Sequence, residues 1–194
     1  MVPLIEIAVE SPRWSEAGGE GDDPLSLEGL AETVIGAAVA RTAPDLHEEA
    51  EISLVFCDDA FIRGLNQQWR GLDKPTNVLS FPTDEALSEA RLLGDVIIAF
   101  ETTEREALEE SKPFRAHLSH LIIHGFLHLL GFDHETPEEA EEMETMERAI
   151  LGDLGIADPY QGALLAEEQH AAAVAPARGE SKVCDQTIEA AGER

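Results

Sequence analysis

The sequence contains little cysteine and little positive charge. Its two cysteines, Cys57 and Cys184, lie far apart and form no CxxC pair, so neither a disulfide framework nor a cysteine zinc site is expected. Thirteen lysines and arginines stand against 40 aspartates and glutamates, and the formal net charge is −27 at pH 7. This balance predicts high solubility and argues against simple electrostatic attraction to membranes or nucleic acid.

Long apolar segments are also missing. The longest strongly apolar run, around residues 118–132, is interrupted by histidines and is shorter than the ~20 residues that a membrane span needs. The first residues, MVPLIEIAVE, contain no basic region followed by an apolar stretch, so no signal peptide is expected. We therefore predict a cytoplasmic protein with no membrane partner.

Hydropathy patterns predict an ordered series of strands and helices. Strands are predicted over Pro3–Val9, Glu51–Cys57, Val78–Phe81 and Gly94–Phe100. Helices are predicted over Leu27–Arg41, from an Asp58 cap to Trp69, over Glu101–Glu110, over Phe114–Leu130 and after Thr136. The length of 194 residues suits one domain with tails. We place that domain at residues 1–158, with an exposed loop at 11–24, and we expect a flexible tail over 159–194.

Local signals mark the ends of two of these helices. Gly131 follows the most apolar helix, and it is expected to end that helix in the left-handed conformation. Thr136, Pro137 and Glu139 have the order of a capping box with proline at the first helical position. The acidic residues of 138–147 are interpreted as a solvated face of the last helix.

Four of the seven histidines, His117, His120, His124 and His128, follow one another in steps of three, four and four. On a helix this spacing puts the imidazoles in one stripe. A single histidine in such a place is most simply a core or boundary residue. Several buried imidazoles together need partners when neutral and repel one another when protonated, and a metal ion meets that need.

The segment HGFLHLLGFDH has the histidine spacing of a zinc protease. His124 and His128 can point at one ion, and a chain reversal at Gly131 can return His134 as a third ligand. Three histidines leave one coordination position open, as in a catalytic zinc site. Asp133 or His120 as a fourth ligand would instead indicate a structural zinc. His117 and His120 are expected to support the ligands or to line the pocket.

A protease of this type carries a glutamate directly after the first histidine, where this chain has Gly125. Asp133 either replaces it or orients a ligand imidazole, and the second role is favoured. Phosphodiester cleavage needs a positive group for the charge that gathers on phosphoryl oxygens. Arg70 is the candidate, although an arginine at a helix end is more often a dipole partner. Trp69 is interpreted as a core anchor rather than as a base-stacking platform.

HGFLHLLGFDH, together with TNVLSFP and LGDVII upstream, resembles the YbeY family of bacterial ribosomal RNA maturation factors. The similarity covers roughly Ile52 to Leu154. It implies an α/β fold with a small mixed sheet and helices, and a protease-like zinc site on a central helix and the following loop. By the same resemblance, His124, His128 and His134 bind one Zn²⁺, and Arg70 is the catalytic arginine.

The resemblance further implies a zinc-dependent, single-strand-specific endoribonuclease. Its expected role is ribosomal RNA maturation, including 16S 3′-end processing, and ribosome quality control. Expected partners are single-stranded precursor RNA, the small ribosomal subunit and its associated proteins, with no DNA. Because the chain is acidic, we expect Arg63, Arg70 and Lys74 to form a local positive cleft. A ribosome assembly factor with a structural zinc, and a metal-dependent protease or other hydrolase, remain as alternatives.

Overall fold

The computed structural model describes residues 1–17 and 26–160. These residues form strands β1 Leu4–Val9, β2 Glu51–Cys57, β3 Val78–Pro82 and β4 Leu92–Ala99. They form helices α1 Arg13–Ala17, α2 Leu27–Thr42, α3 Asp59–Arg70, α4 Phe100–Glu109, α5 Phe114–Leu129 and α6 Pro137–Asp153. No helix among the described residues is long and apolar enough to cross a membrane.

The strands build one mixed sheet in the order β1-β2-β4-β3. Strands β1, β2 and β4 run parallel to one another, and β3 runs antiparallel to β4. The two central strands, β2 and β4, are mostly buried, which explains their nearly continuous apolar sequences. The predicted α/β fold with a small mixed sheet is confirmed.

Helices cover both faces of the sheet. Alternate residues of β4 point to opposite faces, so they contribute to two separate cores. Val96 and Ile98 belong to the main core, which also takes in residues of α2, α5 and α6. Ile97 and Ala99 belong to a smaller core with Ile62 of α3. The fold therefore places α3 on one face of the sheet and α5 on the other.

The predicted loop at 11–24 is wrong over Arg13–Ala17, which form α1. The cause is Trp14, which is completely buried. Its Nε1 donates a hydrogen bond of 2.8 Å to the backbone oxygen of Cys57, and its ring centroid lies 4.8 Å from that of Phe56. A tryptophan that finds both an aromatic pocket and a buried acceptor is stabilised inside. Residues 18–24 of that loop, and the predicted tail from residue 161 onward, lie outside the described residues.

The end of α5 reverses the chain as the sequence predicted. Gly131 has a φ of 90°, which is a left-handed conformation that glycine adopts without steric cost. Its N–H bonds the oxygen of His128 at 3.0 Å, and the N–H of Phe132 bonds the oxygen of Leu127 at 3.0 Å. This pair of bonds is a Schellman motif. The capping box of α6 at Thr136 is also present.

Candidate metal centre

Three histidines converge where α5 ends. His124 and His128 are one helical turn apart on α5, and the reversal at Gly131 brings His134 back beside them. One nitrogen from each of these rings lies within 4.8 Å of the others. The ring centroid of His134 is 5.4 Å from that of His124 and 5.0 Å from that of His128. The predicted set therefore forms a group that can hold a metal ion.

Hydrogen bonds on the far side of two rings define which nitrogens point inward. The Nδ1 of His128 lies 2.9 Å from the backbone oxygen of Phe132. Because a carbonyl only accepts, this Nδ1 carries the proton. The Nδ1 of His124 lies 2.8 Å from Oε1 of Glu147, and an ionised carboxylate likewise accepts. With one proton on each ring, placed on Nδ1, the Nε2 lone pair is left free.

Those two free nitrogens face each other, since the Nε2 atoms of His124 and His128 are 3.1 Å apart. Two facing lone pairs repel unless a cation lies between them. The pKa of His128 is lowered, first because burial disfavours its charged form and then because His124 and His134 add positive charge nearby. A proton is thus disfavoured on this ring, and the donor set suits a metal ion that prefers neutral imidazole.

Glu147 was not identified from the sequence as part of the site. It is completely buried, and its two carboxylate oxygens lie 2.8 Å from Nδ1 of His124 and 2.9 Å from Nε2 of His120. The interpretation of 138–147 as a solvated face is therefore wrong at this residue. The helical spacing could have identified it. Glu147 lies four residues after Met143 and three before Ile150, which places it on the apolar side of α6.

The other two histidines of the stripe lie outside the three-histidine group. His120 contacts Glu147, as above, and Nε2 of His117 lies 3.0 Å from Oε2 of Glu106. The same Oε2 accepts a 2.9 Å hydrogen bond from Nδ2 of Asn77. Burial alone would raise the pKa of Glu106, but the hydrogen bonds from His117 and Asn77 outweigh burial and lower it. Glu106 is held as an anion behind the stripe.

Among the described residues, no hydrogen bond joins Asp133 to an imidazole, and its contact is with the backbone instead. Its Oδ1 accepts the backbone N–H of His134 at 2.8 Å, and Glu147 and the Phe132 carbonyl orient the rings instead. This bond stabilises the turn that presents His134 to the other two histidines.

Gly125 faces the sheet rather than the group of histidines. A Cβ at this position would overlap Cγ1 of Val96 and would lie 3.2 Å from Oγ of Ser80. Val96 is completely buried and has little room to yield. The close approach of α5 to β4 therefore requires glycine here, and a protease-type glutamate has no space.

A cleft of about 680 Å³ opens beside the histidines, and we call it the histidine cleft. Its walls include Arg70, Thr76, Asn77, Val78, Ser80, Pro82 and residues 131–135, together with His124 and His128. Arg70 is the last residue of α3, and Gly71 after it has a φ of 72°, so the helix ends at the cleft wall. The structure thus brings Arg70 and the three histidines to one cavity.

Two expectations about the surroundings of Arg70 need correction. Among the described residues that line the cleft, Arg63 and Lys74 do not appear, and Arg63 is instead bonded to Asp73 at 2.7 Å. Trp69 is not a core anchor, because it is 64% exposed. It lies in the last turn of α3 and faces outward, where its ring meets Phe81 at a centroid distance of 5.7 Å.

Comparison with known proteins shows where this chain belongs. A family model described as "Endoribonuclease YbeY" matches residues 22–155. A protein of that name from Beijerinckia indica subsp. indica is 66% identical over 194 residues, which is 100% of this chain and 90% of the relative. Another from Methylocella silvestris is 52% identical over 179 residues, or 92% of this chain and 96% of the relative.

Among solved structures, a solution structure of a Thermotoga maritima protein is 26% identical, with a TM-score of 0.48, covering 80% of this chain and 98% of that one. The family model spans more than half of the chain, and the two relatives named above are similar over nearly their whole length. This chain belongs to the YbeY family of endoribonucleases.

Proposed function

We propose that this protein is a zinc-dependent, single-strand-specific endoribonuclease with His124, His128 and His134 as metal ligands and Arg70 as the catalytic arginine. The observation that carries the proposal is the pair of facing Nε2 atoms at 3.1 Å in a cavity that Arg70 also lines. The names of the relatives supply the substrate class, RNA. Residues 1–158 would act as a single catalytic domain.

Zinc is the metal that fits this donor set best. Three imidazoles and one open position are the ligands of a catalytic zinc, and Zn–N bonds of ~2.0–2.1 Å at tetrahedral angles put ligand nitrogens ~3.3 Å apart. The nitrogens of His124 and His128 already lie 3.1 Å apart. When bound, zinc supplies Lewis acidity toward a phosphoryl oxygen and lowers the pKa of water.

The protein's own groups prepare the site for this chemistry. Glu147 and the Phe132 carbonyl keep the protons of His124 and His128 on Nδ1, so that Nε2 remains free. Arg70 binds a phosphodiester through charge-assisted hydrogen bonds, which strengthen as negative charge gathers on the phosphoryl oxygens. The proposed chemistry uses no side chain from position 125.

Arg70 is available for this role because its charge is not already neutralised. Among the described residues, salt bridges join Arg13, Arg41, Arg63 and Arg91 to carboxylates, whereas Arg70 takes part in no such pair. In a chain of net charge −27, an arginine with no carboxylate partner among the described residues gives the cavity a positive group for an anion, opposite the carboxylates of Asp133 and Glu135 in the same lining.

The cellular role follows the family as part of the same proposal. The substrate would be single-stranded ribosomal RNA precursor, including the 16S 3′ end, in the cytoplasm, with a function in ribosome quality control. The small ribosomal subunit and its associated proteins would present the RNA, so the acidic protein would not have to attract RNA through its own net charge.

The geometry disfavours both alternative functions. A structural zinc needs a fourth protein ligand, yet among the described residues the converging ligand atoms come from His124, His128 and His134, without His120 or Asp133. A protease needs a carboxylate beside the nucleophile, and position 125 has no room for one.

The test is cleavage of a single-stranded ribosomal RNA precursor by zinc-loaded protein. We expect Arg70→Ala and His128→Ala to lose cleavage, and we expect loss of bound zinc for His128→Ala alone. Arg63→Ala is the matched control, because Arg63 lies on the same helix but is paired with Asp73. Cleavage that persists in both variants would contradict the proposal and would favour an assembly factor.

A further inference from the structure

We propose that Trp69 is a stacking surface for a base of single-stranded RNA whose phosphate is bound by Arg70. This inference rests on the proposed function, and it adds a substrate-binding residue that lies outside the histidine cleft. It also gives a physical reason for a preference for single strands.

The exposure of Trp69 is the first observation. The chain has two tryptophans, and Trp14 is 0% exposed whereas Trp69 is 64% exposed. Phe81 supports the indole of Trp69 from one side at a centroid distance of 5.7 Å and an interplanar angle of 63°. The ring thus packs against Phe81 but remains largely in water. A supported, solvated aromatic ring is the feature on which unpaired bases stack.

The location of Trp69 is the second observation. On one side its chain neighbour is Arg70, which lines the histidine cleft. On the other side its ring partner is Phe81, whose chain neighbour Pro82 lines the same cleft. Phe81 packs with the smaller core on the α3 side of the sheet, because successive strand residues point to opposite faces. The indole therefore lies beside the edge strand β3, next to Arg70 but outside the cleft. A nucleotide next to the one at the histidines can place its base there.

Charge gives the strand a direction. A second groove begins at Phe81 and Pro82 and carries Glu85, Glu89 and Asp95. The arginine that also lines it, Arg91, is paired with Glu49. These carboxylates repel phosphate. Arg70 and Lys74, in contrast, form no salt bridge with any described carboxylate, so the sugar–phosphate backbone is favoured on their side. The base then turns toward Trp69.

Stacking on Trp69 discriminates against duplexes without reading sequence. Every base has a π face, so the contact tolerates any base. In a duplex, both faces of a base are covered by its neighbours, and RNA recognition of this kind needs unstacked bases. The surface would therefore select strand state rather than sequence.

The experiment measures binding of an eight-nucleotide single-stranded oligouridine to zinc-loaded protein, read in the first moments after rapid mixing. Fluorescence of wild type reports stacking, because the exposed Trp69 is quenched and the buried Trp14 is not. Anisotropy of a fluorescein-labelled octamer reports affinity for all variants. Phe61→Ala is the matched control, since Phe61 is an apolar residue of the same helix that is 43% exposed.

We expect quenching by the octamer and none by a duplex of equal length. Trp69→Ala should raise the Kd by roughly 5- to 150-fold, Trp69→Phe should restore most of the affinity, and Phe61→Ala should bind as wild type does. Wild-type affinity in Trp69→Ala with weakened binding in Arg70→Ala would overturn the stacking surface and leave the proposed function standing. Failure of wild type to bind the octamer would overturn the stacking surface, and failure of the zinc-loaded protein to cleave single-stranded RNA would contradict the proposed function.

Discussion

Glu147 offers a demanding test of how the metal centre is built. One buried carboxylate accepts hydrogen bonds at 2.8 and 2.9 Å from His124 and His120. In Glu147→Gln, the amide oxygen can still accept from Nδ1 of His124, but the amide nitrogen cannot accept, and the negative charge is lost. In Glu147→Ala, both imidazoles lose their acceptor, and His124 is free to turn or to change tautomer.

The expected magnitude follows from these losses. Partners that orient metal-bound histidines contribute ~10–100-fold to metal affinity, or ~1.4–2.7 kcal/mol of binding free energy. We expect Glu147→Gln near the lower value, since one hydrogen bond survives, and Glu147→Ala near the upper value. Zinc affinity is measured by competition with a chromophoric chelator, and the spectrum of bound Co²⁺ reports whether the ligand set is intact.

Glu141→Gln serves as the matched control, because Glu141 is an exposed acid on the same helix. It removes the same charge from the protein without touching a histidine. Zinc affinities of Glu147→Gln and Glu147→Ala within twofold of the control, with the protein still folded, would refute the reasoning.

Two further predictions concern stability. Gly125→Ala should destabilise the fold by about 1–3 kcal/mol in urea unfolding, because its Cβ overlaps the buried Val96. Gly36→Ala in α2, where a Cβ meets nothing within 4 Å, should instead stabilise by about 0.5–1 kcal/mol through helix propensity. The pKa of Glu106 is lowered from 4.5 in the folded protein. Its stabilising contribution to the free energy of unfolding should therefore be present above pH 4.5 and should vanish as the pH falls through the folded-state pKa. The free energies of unfolding of wild type and Glu106→Gln should therefore differ at pH 6 and become equal in acid.

Either stability argument can fail in a recognisable way. A Gly125→Ala protein as stable as Gly36→Ala would show that α5 has room to move away from the sheet. A difference between wild type and Glu106→Gln that grows on acidification would show that the hydrogen bonds from Asn77 and His117 do not favour the ionised carboxylate.

Local patterns predicted most of the elements because each depends on nearby residues. Gly131 and the capping box at Thr136 are short-range signals, and both ends form as expected. The convergence of His124, His128 and His134 was predictable for the same reason, since a helical turn and one reversal are sufficient to bring them together.

The missed features depend on contacts between distant segments. Trp14 is buried against Cys57 and Phe56, and no pattern within residues 11–24 shows that partner. Glu147 lies in an acidic run, and only the arrival of α5 beside α6 turns it from a surface acid into a histidine partner. A tryptophan is a residue type expected in the core, yet Trp69 lies in the last turn of α3 and its ring is largely exposed to water.

The most direct test of the account is a zinc titration of metal-free protein, with cleavage of a single-stranded oligoribonucleotide as the readout. The account predicts no cleavage without zinc and a rise that stops at one equivalent, and it predicts that His134→Ala fails to reach that rise. Cleavage by the metal-free protein, or a fully zinc-loaded protein that leaves the RNA intact, would contradict it.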